Sequence, residues 1–292
     1  PATVQAQALP KDEIIALTPE WKGERYADGR PKVPDAILKR MRNVSLEEAW
    51  GVLRGEKYFN QFEGDWKMIH EDQVMVGRAL TAQYMPNRPD LNKRIAQKGE
   101  QEKRVGGMNS WPIDMLQQGD IYVADSYGKM ADGTLIGDNL GTSIYTKSGN
   151  GVVFDGSLRD LEGLSRIEGF NAFVRGWHPS YLQEAVLSGI NVPIRIGQAT
   201  VLPGDVVVAK RGGVLFIPAH LAEKVVTTAE IILLRDEFGH ARLREGKYTP
   251  GEIDTRWTDT IEKDFSSWLR NNMDRLSVPK EQIQEYLKDR TW

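Results

Sequence analysis

The sequence has no cysteine among its 292 residues. That absence excludes disulfide bonds, a thiolate zinc site and a cysteine nucleophile, so any metal ion must be bound by oxygen or imidazole. There is also no run of about eighteen apolar residues, the length that a transmembrane helix requires. Thirty-eight Lys and Arg against forty-one Asp and Glu give a net charge of −3, which offers no electrostatic surface for nucleic acid or an anionic membrane. A small anionic substrate stays compatible with this charge, because a single local arginine can bind it.

What the sequence does contain is 40 % hydrophobic and 9 % aromatic residues, as folded domains do. We divide it into an N-terminal extension (residues 1–39), a central domain (40–245) and a C-terminal helical extension (246–292). Residues 1–35 are rich in Pro, Gly and charge, which predicts a segment that wraps over the surface. Within residues 1–8, Ala-Gln-Ala is similar to the end of a cleaved secretory signal. The protein is therefore either exported or, if this is an ordinary flexible terminus, cytoplasmic.

The central domain alternates between predicted strands and helices, which favours an α/β layered fold. Helical spacing begins near Pro34, and Ser45 with Glu48 forms a capping-box pattern. VMVGRALTAQYM is predicted to be a strand with one buried face, LEGLSRIEGF a helix that ends at Gly169, and AHLAEKVVTTAEIILLRDEF a long helix. Closely spaced strands between 192 and 217 suggest an additional antiparallel or mixed sheet.

The C-terminal extension has apolar residues at helical intervals from Trp257 to Leu276, and a second helix is predicted after Pro279. These helices need a surface to cover their apolar faces. The pattern leaves open whether that surface belongs to the same chain or to a neighbouring subunit.

The stretch GDNLGTSIYTKSGNGVVFDGSLRD, residues 137–160, places one acid far from an Arg-Asp pair. If residues 152–154 form a buried strand, the loops that carry Asp138 and Arg159-Asp160 are expected to meet at one rim of the sheet, where ligand crevices form. The flanking glycines let a ligand approach the backbone, and the first amides of the helix that follows are available to an anion.

These three side chains together suit a 2-oxo acid. Arg159 can bind a planar carboxylate through two parallel hydrogen bonds. Asp160 can hold a hard divalent cation directly or through water, and Asp138 can bind a water of the same cation or accept a proton. The cation would polarise the keto oxygen and stabilise an enolate. On spacing alone, a structural ion pair or a helix cap remains the alternative.

The spacing Asp138, twenty residues, Arg159-Asp160 resembles the D-x20-R-D motif of metal-dependent class II aldolases with the RraA (regulator of ribonuclease activity A) fold. Representative members of that family are the 4-hydroxy-4-methyl-2-oxoglutarate and 4-carboxy-4-hydroxy-2-oxoadipate aldolases. Other stretches occur in the order of that family: VGRALTA, GDIYVAD, GVVFDGSLRDLEGL, FVRG, NVPIRIG, LPGDVVVA and GVLFIP. The resemblance extends roughly over residues 40–235.

The resemblance implies a three-layer β/β/α swivelling-type domain, a homotrimer or hexamer with sites at subunit boundaries, and Mg²⁺ or Mn²⁺ as cofactor. It also implies retro-aldol cleavage that releases pyruvate, or decarboxylation. By motif position, the roles are a carboxylate-binding Arg159, a metal-binding Asp160, an Asp138 that orders metal-bound water, and substrate contacts from Gly137, Asn139 and Leu140.

Two further residues are weaker candidates for catalysis. His178, within WHPSY, is either a satisfied, partly buried histidine or an acid or base that faces the substrate. Glu237 is a candidate for the acidic residue that an adjacent subunit contributes in such aldolases. Lys210 and Arg211 depart from the family pattern and indicate either a more anionic substrate or a solvated turn. The alternative functions are a keto-sugar lyase or isomerase with the same metal site, and a non-catalytic regulator that binds another protein.

Overall fold

A computed structural model describes residues 8–288 and residue 290. Most of the signal-like stretch within residues 1–8 therefore lies outside the described residues. The helices are α1 (Lys11–Leu17), α2 (Asp35–Met41), α3 (Leu46–Gly55), α4 (Pro89–Gln101), α5 (Trp111–Asp114), α6 (Asp138–Ser148), α7 (Leu161–Leu164), α8 (Ala222–Arg244), α9 (Pro250–Ile253), α10 (Asp259–Asn272) and α11 (Lys280–Lys288). The strands are β1 (Phe62–Glu63), β2 (Lys67–Met68), β3 (Met75–Pro86), β4 (Asp120–Asp125), β5 (Val152–Leu158), β6 (Ala172–Trp177), β7 (Ala185–Ile190), β8 (Ile194–Ile196), β9 (Ala199–Val201), β10 (Val206–Lys210) and β11 (Gly213–Ile217).

The described strands form one large mixed sheet and one small sheet. The large sheet has the order β1-β11-β10-β3-β4-β5-β6-β2, and β7 pairs with the second half of β3. Strands β3 to β6 run parallel to one another, whereas β10, β11 and β7 join antiparallel. The additional sheet expected between 192 and 217 contains only β8 and β9, because β10 and β11 extend the large sheet instead.

The large sheet lies between two other layers. The small sheet packs on one face, where Ile196 and Val201 join a buried cluster with Val123 and Val153. Helices cover the other face, where Ile144 of α6 belongs to a cluster with Phe154 of β5. The predicted α/β fold is confirmed, and its layers run β/β/α.

Strand β3 shows why one expectation was wrong. It was predicted to have one buried face, but Val76 and Leu80 pack on the helical side while Met75 and Ala79 pack under the small sheet. A strand between two layers is buried on both faces and reads as a continuous apolar run.

The ends of several helices are determined by local bonds. The capping box is confirmed, since Ser45 and Glu48 bond each other's backbone amides at the start of α3. The helix predicted to reach Gly169 is wrong in length, because α7 ends at Leu164 and the chain then turns back toward β6. Gly169, with φ of 84°, makes that turn sterically accessible.

The N-terminal segment enters the core, so the prediction that it only wraps over the surface is wrong. Ile14, Arg30 and Val33 are fully buried. The Arg30 guanidinium donates to Asp120 at 2.9 Å and to Asp28 at 2.8 Å. Burial raises the pKa of the Asp120 carboxyl, and the Arg30 charge opposes that rise. A buried charge that is paired in this way ties the segment to the start of β4.

The C-terminal helices cover the second half of α8. Phe238 of α8 lies 5.1 Å from Trp257 and 5.2 Å from Phe265, measured between ring centroids. Of the two packing alternatives, the described residues therefore show packing on the same chain. Within residues 8–288 and residue 290, no helix is both long enough and apolar enough to cross a bilayer. The three-part division of the chain stays a prediction.

Candidate functional site

The Arg-Asp pair follows directly on strand β5. Because β5 ends at Leu158, Arg159 and Asp160 lie at the carboxyl edge of the parallel strands. The segment before α6 runs beside them, and the Arg159 backbone amide donates to the Ile136 carbonyl at 3.0 Å. This bond brings Asp138, the first residue of α6, to the same edge. The two distant parts of the predicted motif thus meet, as the sequence indicated.

Both parts line one pocket with a cavity volume of about 80 Å³. Its wall consists of residues 134–140, Arg159, Asp160, Asn109, Tyr181 and Leu182. Every predicted substrate-binding residue belongs to this wall: Gly137, Asn139, Leu140 and Arg159.

Asp160 adopts a left-handed backbone conformation, with φ of 58° and ψ of 41°. Aspartate tolerates this region better than most residues do. Its Oδ2 lies 3.5 Å from Nε of Arg159, and a Cβ atom placed on Gly137 would come within 2.1 Å of the same oxygen. Glycine at 137 therefore leaves the space that the Asp160 carboxylate occupies.

Asp138 begins α6 and is held there by its neighbours. Its Oδ1 accepts a hydrogen bond from the Asn139 amide at 2.8 Å, so this amide, predicted to contact substrate, is already engaged. A Cβ atom on Gly163 would come within 2.5 Å of Oδ2 of Asp138. Two glycines, 137 and 163, thus leave room for the two carboxylates of the site.

The donor set fits a hard divalent ion that keeps much of its own water. Within the described part of the chain, no three His, Asp or Glu side chains are grouped closely enough to enclose a metal. Mg²⁺ is characteristically bound through one or two carboxylates plus water and substrate oxygens. Asp160 and Asp138 are the two carboxylates of this pocket, and the pocket has an exposed side through which water and substrate oxygens can enter.

Arg159 keeps its binding groups available. Its side chain is 42 % exposed, and the contact with Asp160 involves Nε. Within residues 8–288 and residue 290, neither terminal nitrogen of its guanidinium has a hydrogen-bond partner. A fork of this kind at the pocket wall can receive a planar carboxylate.

His178 lies next to the pocket but does not line it. Its Nδ1 is 2.8 Å from the Ser180 hydroxyl and accepts the Ser180 backbone amide at 3.2 Å. The Nδ1 atom is therefore engaged within its own loop, and a role of the ring as an acid or base stays a prediction. The same loop presents Tyr181, 60 % exposed, to the pocket.

Glu237 lies outside the pocket of its own chain, on α8. It accepts a hydrogen bond from the Ser277 hydroxyl of the C-terminal extension. Its role as an acid supplied to an adjacent subunit stays a prediction. Lys210 also lies away from the pocket wall, because its ammonium donates to the Val44 carbonyl at 2.6 Å.

Sequence reasoning missed three polar or aromatic contributors to the wall: Asn109, Thr134 and Tyr181. The Asn109 side chain donates to the Leu135 carbonyl at 2.8 Å and so supports the segment before α6. No motif marks it in the sequence. The aromatic run 177–181 carried the only signal, and it pointed to the histidine instead of Tyr181.

Comparisons with known proteins identify the family and the fold. A family model described as RraA-like, Aldolase/RraA, matches residues 45–216, more than half of the chain. A protein of Halalkalibacterium halodurans, provisionally named 4-hydroxy-4-methyl-2-oxoglutarate aldolase, is 32 % identical over 112 residues. That match covers 38 % of this chain and 52 % of the relative, so the chain spans about half the length of that relative.

Two solved structures share the fold. An uncharacterised protein of Pseudomonas syringae superposes with a TM-score of 0.62 at 20 % identity, covering 77 % of this chain and all of the other. Streptomyces coelicolor RraAS2, described as an unusual member of the RNase ES inhibitor RraA protein family, gives a TM-score of 0.59 at 24 % identity. The match covers 72 % of this chain and 98 % of that one. At these identities the likeness concerns the fold alone.

Proposed function

Because this chain belongs to the RraA-like family, we propose that it is a divalent-metal-dependent carbon–carbon lyase that acts on a 2-oxo acid or an oxidised sugar acid. The observation that carries the proposal is the convergence of Asp138, Arg159 and Asp160 on one pocket. The Halalkalibacterium halodurans relative that is named as an aldolase supports a lyase. The proposed subunit arrangement is a homotrimer or hexamer.

Arg159 binds the carboxylate of the oxo acid in this proposal. Its guanidinium offers two parallel N–H groups, whose fork fixes the plane of the carboxylate and hence that of the adjacent keto group. The negative charge of Asp160 beside Nε keeps the guanidinium oriented toward the pocket. Orientation of the substrate before reaction removes part of the entropic barrier.

Asp160 and Asp138 divide the remaining work. Asp160 would hold a Mg²⁺ or Mn²⁺ ion, which when bound supplies Lewis-acid stabilisation of the charge that develops on the keto oxygen. Asp138 accepts the proton of the 4-hydroxyl, directly or through a water, as the carbon–carbon bond breaks. Tyr181 and Leu182 close one side of the pocket and limit the access of water to the reacting end of the substrate.

Two outcomes of the bond cleavage are compatible with this site. Retro-aldol cleavage of a 4-hydroxy-2-oxo acid and decarboxylation of a 2-oxo diacid both leave an enolate of the 2-oxo acid. Protonation of that enolate gives pyruvate in the first reaction, and the second reaction also releases carbon dioxide. A keto-sugar lyase would eliminate water or a glycosidic group instead. A non-catalytic regulator has no need of an oriented arginine beside two carboxylates, which is why the lyase is preferred.

Pyruvate formation tests the proposal directly. We expect the purified protein with millimolar Mg²⁺ to release pyruvate from oxaloacetate or 4-hydroxy-4-methyl-2-oxoglutarate, followed by coupled lactate dehydrogenase. The breakdown of the substrate measured without enzyme is subtracted first. Chelation should then lower the enzymatic rate of pyruvate release by about a hundredfold or more, since the charge on the keto oxygen loses its stabilisation.

Added excess Mg²⁺ should restore the chelated enzyme, which distinguishes metal dependence from damage. Lack of turnover with both compounds, together with turnover of a keto-sugar acid, would replace the aldolase by the elimination reaction. Turnover that persists unchanged in the chelator would contradict the proposed metal dependence.

A further inference from the structure

Tyr181 is the one exposed large hydrophobic side chain in the described wall of the Arg159 pocket. It is 60 % exposed, whereas Leu140 and Leu182 of the same wall are only partly exposed and pack against the core. Within residues 8–288 and residue 290, no hydrogen bond of its hydroxyl and no aromatic ring engages the Tyr181 side chain. Much of this aromatic surface is therefore available to a ligand in the pocket.

The segment that carries Tyr181 is bonded to a neighbouring loop on both sides of the ring. Before the ring, the Ser180 hydroxyl accepts the Asp132 backbone amide at 2.6 Å, and the Ser180 carbonyl accepts the Thr134 hydroxyl. After the ring, the Gln183 amide donates to the Asp132 carbonyl at 2.9 Å. Because the backbone is held on either side, the ring can bind a ligand with little further loss of conformational freedom.

The pocket itself has room for only the reacting part of a substrate. Its cavity volume is about 80 Å³. A cavity of about 150 Å³ is needed to hold a benzene ring in another protein. A 2-oxo acid whose carboxylate binds Arg159 would therefore place its oxo-acid end in the cavity, and its remaining atoms would extend through the exposed side, along Tyr181.

The charges of the pocket wall suit a substrate with a single carboxylate. Arg159 is the only Lys or Arg in the wall as the structure describes it, and the carboxylates of Asp138 and Asp160 accompany it. A divalent cation would leave one net positive charge, which one substrate carboxylate neutralises. Lys129 lies next to the wall without lining the pocket, since a Cβ atom on Gly133 would come within 2.2 Å of its Cγ.

On the basis of the proposed lyase function, we propose that Tyr181 selects 2-oxo acids that carry an uncharged ring on C4. The ring lies on the phenol of Tyr181 and buries apolar surface there. In the reaction the bond between C3 and C4 breaks, and the proton of the 4-hydroxyl passes to Asp138. The enolate takes up a proton at C3 to give pyruvate, and C4 leaves as an aldehyde that carries the ring.

Three 4-hydroxy-2-oxo acids that differ only in the group on C4 test this selection. 4-Hydroxy-2-oxo-4-phenylbutanoate carries a phenyl ring, 4-hydroxy-2-oxopentanoate a methyl group and 4-hydroxy-2-oxoglutarate a carboxylate. Each releases pyruvate, whose initial rate of formation is followed by proton NMR with millimolar Mg²⁺. We expect kcat/KM for the phenyl substrate to exceed that for the methyl substrate by about three- to tenfold, and the carboxylate substrate to be the poorest of the three.

Four variants separate the ring of Tyr181 from its bulk and from general surface effects. Tyr181→Ala and Tyr181→Leu should both bring the phenyl-to-methyl ratio of kcat/KM close to one, because neither retains a flat face. Tyr181→Phe should keep the ratio, since the ring remains. Phe59→Ala is the matched control, because it removes an aromatic side chain that is 54 % exposed and lies outside this pocket, and it should leave the ratio unchanged.

A phenyl-to-methyl ratio that Tyr181→Ala leaves unaltered would overturn the selection by Tyr181 and leave the lyase function in place. So would a highest kcat/KM for the carboxylate substrate. If Lys129→Gln then removed that preference, Lys129 would be the partner of the second carboxylate. Turnover of none of the three substrates would instead contradict the retro-aldol function itself, and with it the role of Tyr181.

Discussion

Arg159→Ala is expected to lower kcat/KM for the oxo acid by about two to four orders of magnitude. Two hydrogen bonds between charged partners contribute about 3–6 kcal/mol when both form in the transition state. The free energy of unfolding should change by less than about 0.5 kcal/mol, because the side chain is 42 % exposed and, among residues 8–288 and 290, its ion pair is with Asp160 alone. Steady-state pyruvate release and urea denaturation measure the two quantities.

Arg159→Lys is the matched variant, because it keeps the positive charge and loses the planar fork. A loss intermediate between the wild type and Arg159→Ala would show that geometry matters in addition to charge. Wild-type rates in Arg159→Ala would remove this residue from the site. An equally large loss of folding stability would instead assign it a structural role.

Arg30→Ala is expected to lower the free energy of unfolding by about 3–5 kcal/mol, measured by urea denaturation. The substitution leaves the fully buried Asp120 without its counter-charge, which in the intact protein lies 2.9 Å away. The loss should shrink at acidic pH. Burial raises the pKa of Asp120 and the Arg30 charge opposes that rise, so without Arg30 the carboxyl takes up a proton at higher pH and no longer needs a partner.

Lys32→Ala provides the control for this stability prediction. Lys32 pairs with Glu24 at 2.8 Å, but the two side chains are 38 % and 70 % exposed, so the expected cost is at most about 1 kcal/mol. Equal stability losses in the two variants would contradict the conclusion that the N-terminal segment is part of the core. A stable Arg30→Ala protein would do so as well.

Local rules predicted much of this chain and failed where distant segments meet. Ser45 and Glu48 identify the start of α3 because the capping box involves only neighbours in sequence. The burial of Arg30 depends on Asp120, ninety positions further along the chain, so composition alone suggested a surface segment. Strand β7 was not predicted because Ser188 and Gly189 interrupt its apolar run, and its pairing with β3 compensates for their weak strand propensity.

In the candidate site, too, local sequence patterns predicted some residues, and those placed by distant contacts were missed. The motif placed Asp138, Arg159 and Asp160 together, because strand β5 separates them in sequence and its carboxyl end brings their loops to one edge. Asn109 and Tyr181 arrive at the pocket from loops whose positions depend on tertiary contacts. His178 drew attention by residue type, but its ring nitrogen is engaged by Ser180.

Titration with Mn²⁺, followed by electron paramagnetic resonance, tests most directly whether the carboxylates of Asp138 and Asp160 form a metal site. We predict one Mn²⁺ per chain in the wild type, and an affinity at least about tenfold weaker in Asp160→Asn, which keeps the left-handed backbone but loses the charge. Gly137→Ala should weaken binding as well, since its methyl group would come within 2.1 Å of Asp160 Oδ2, whereas Gly51→Ala meets no atom within 4 Å and should have no effect. Unaltered Mn²⁺ affinity in Asp160→Asn, or no binding by the wild type, would contradict the proposed site.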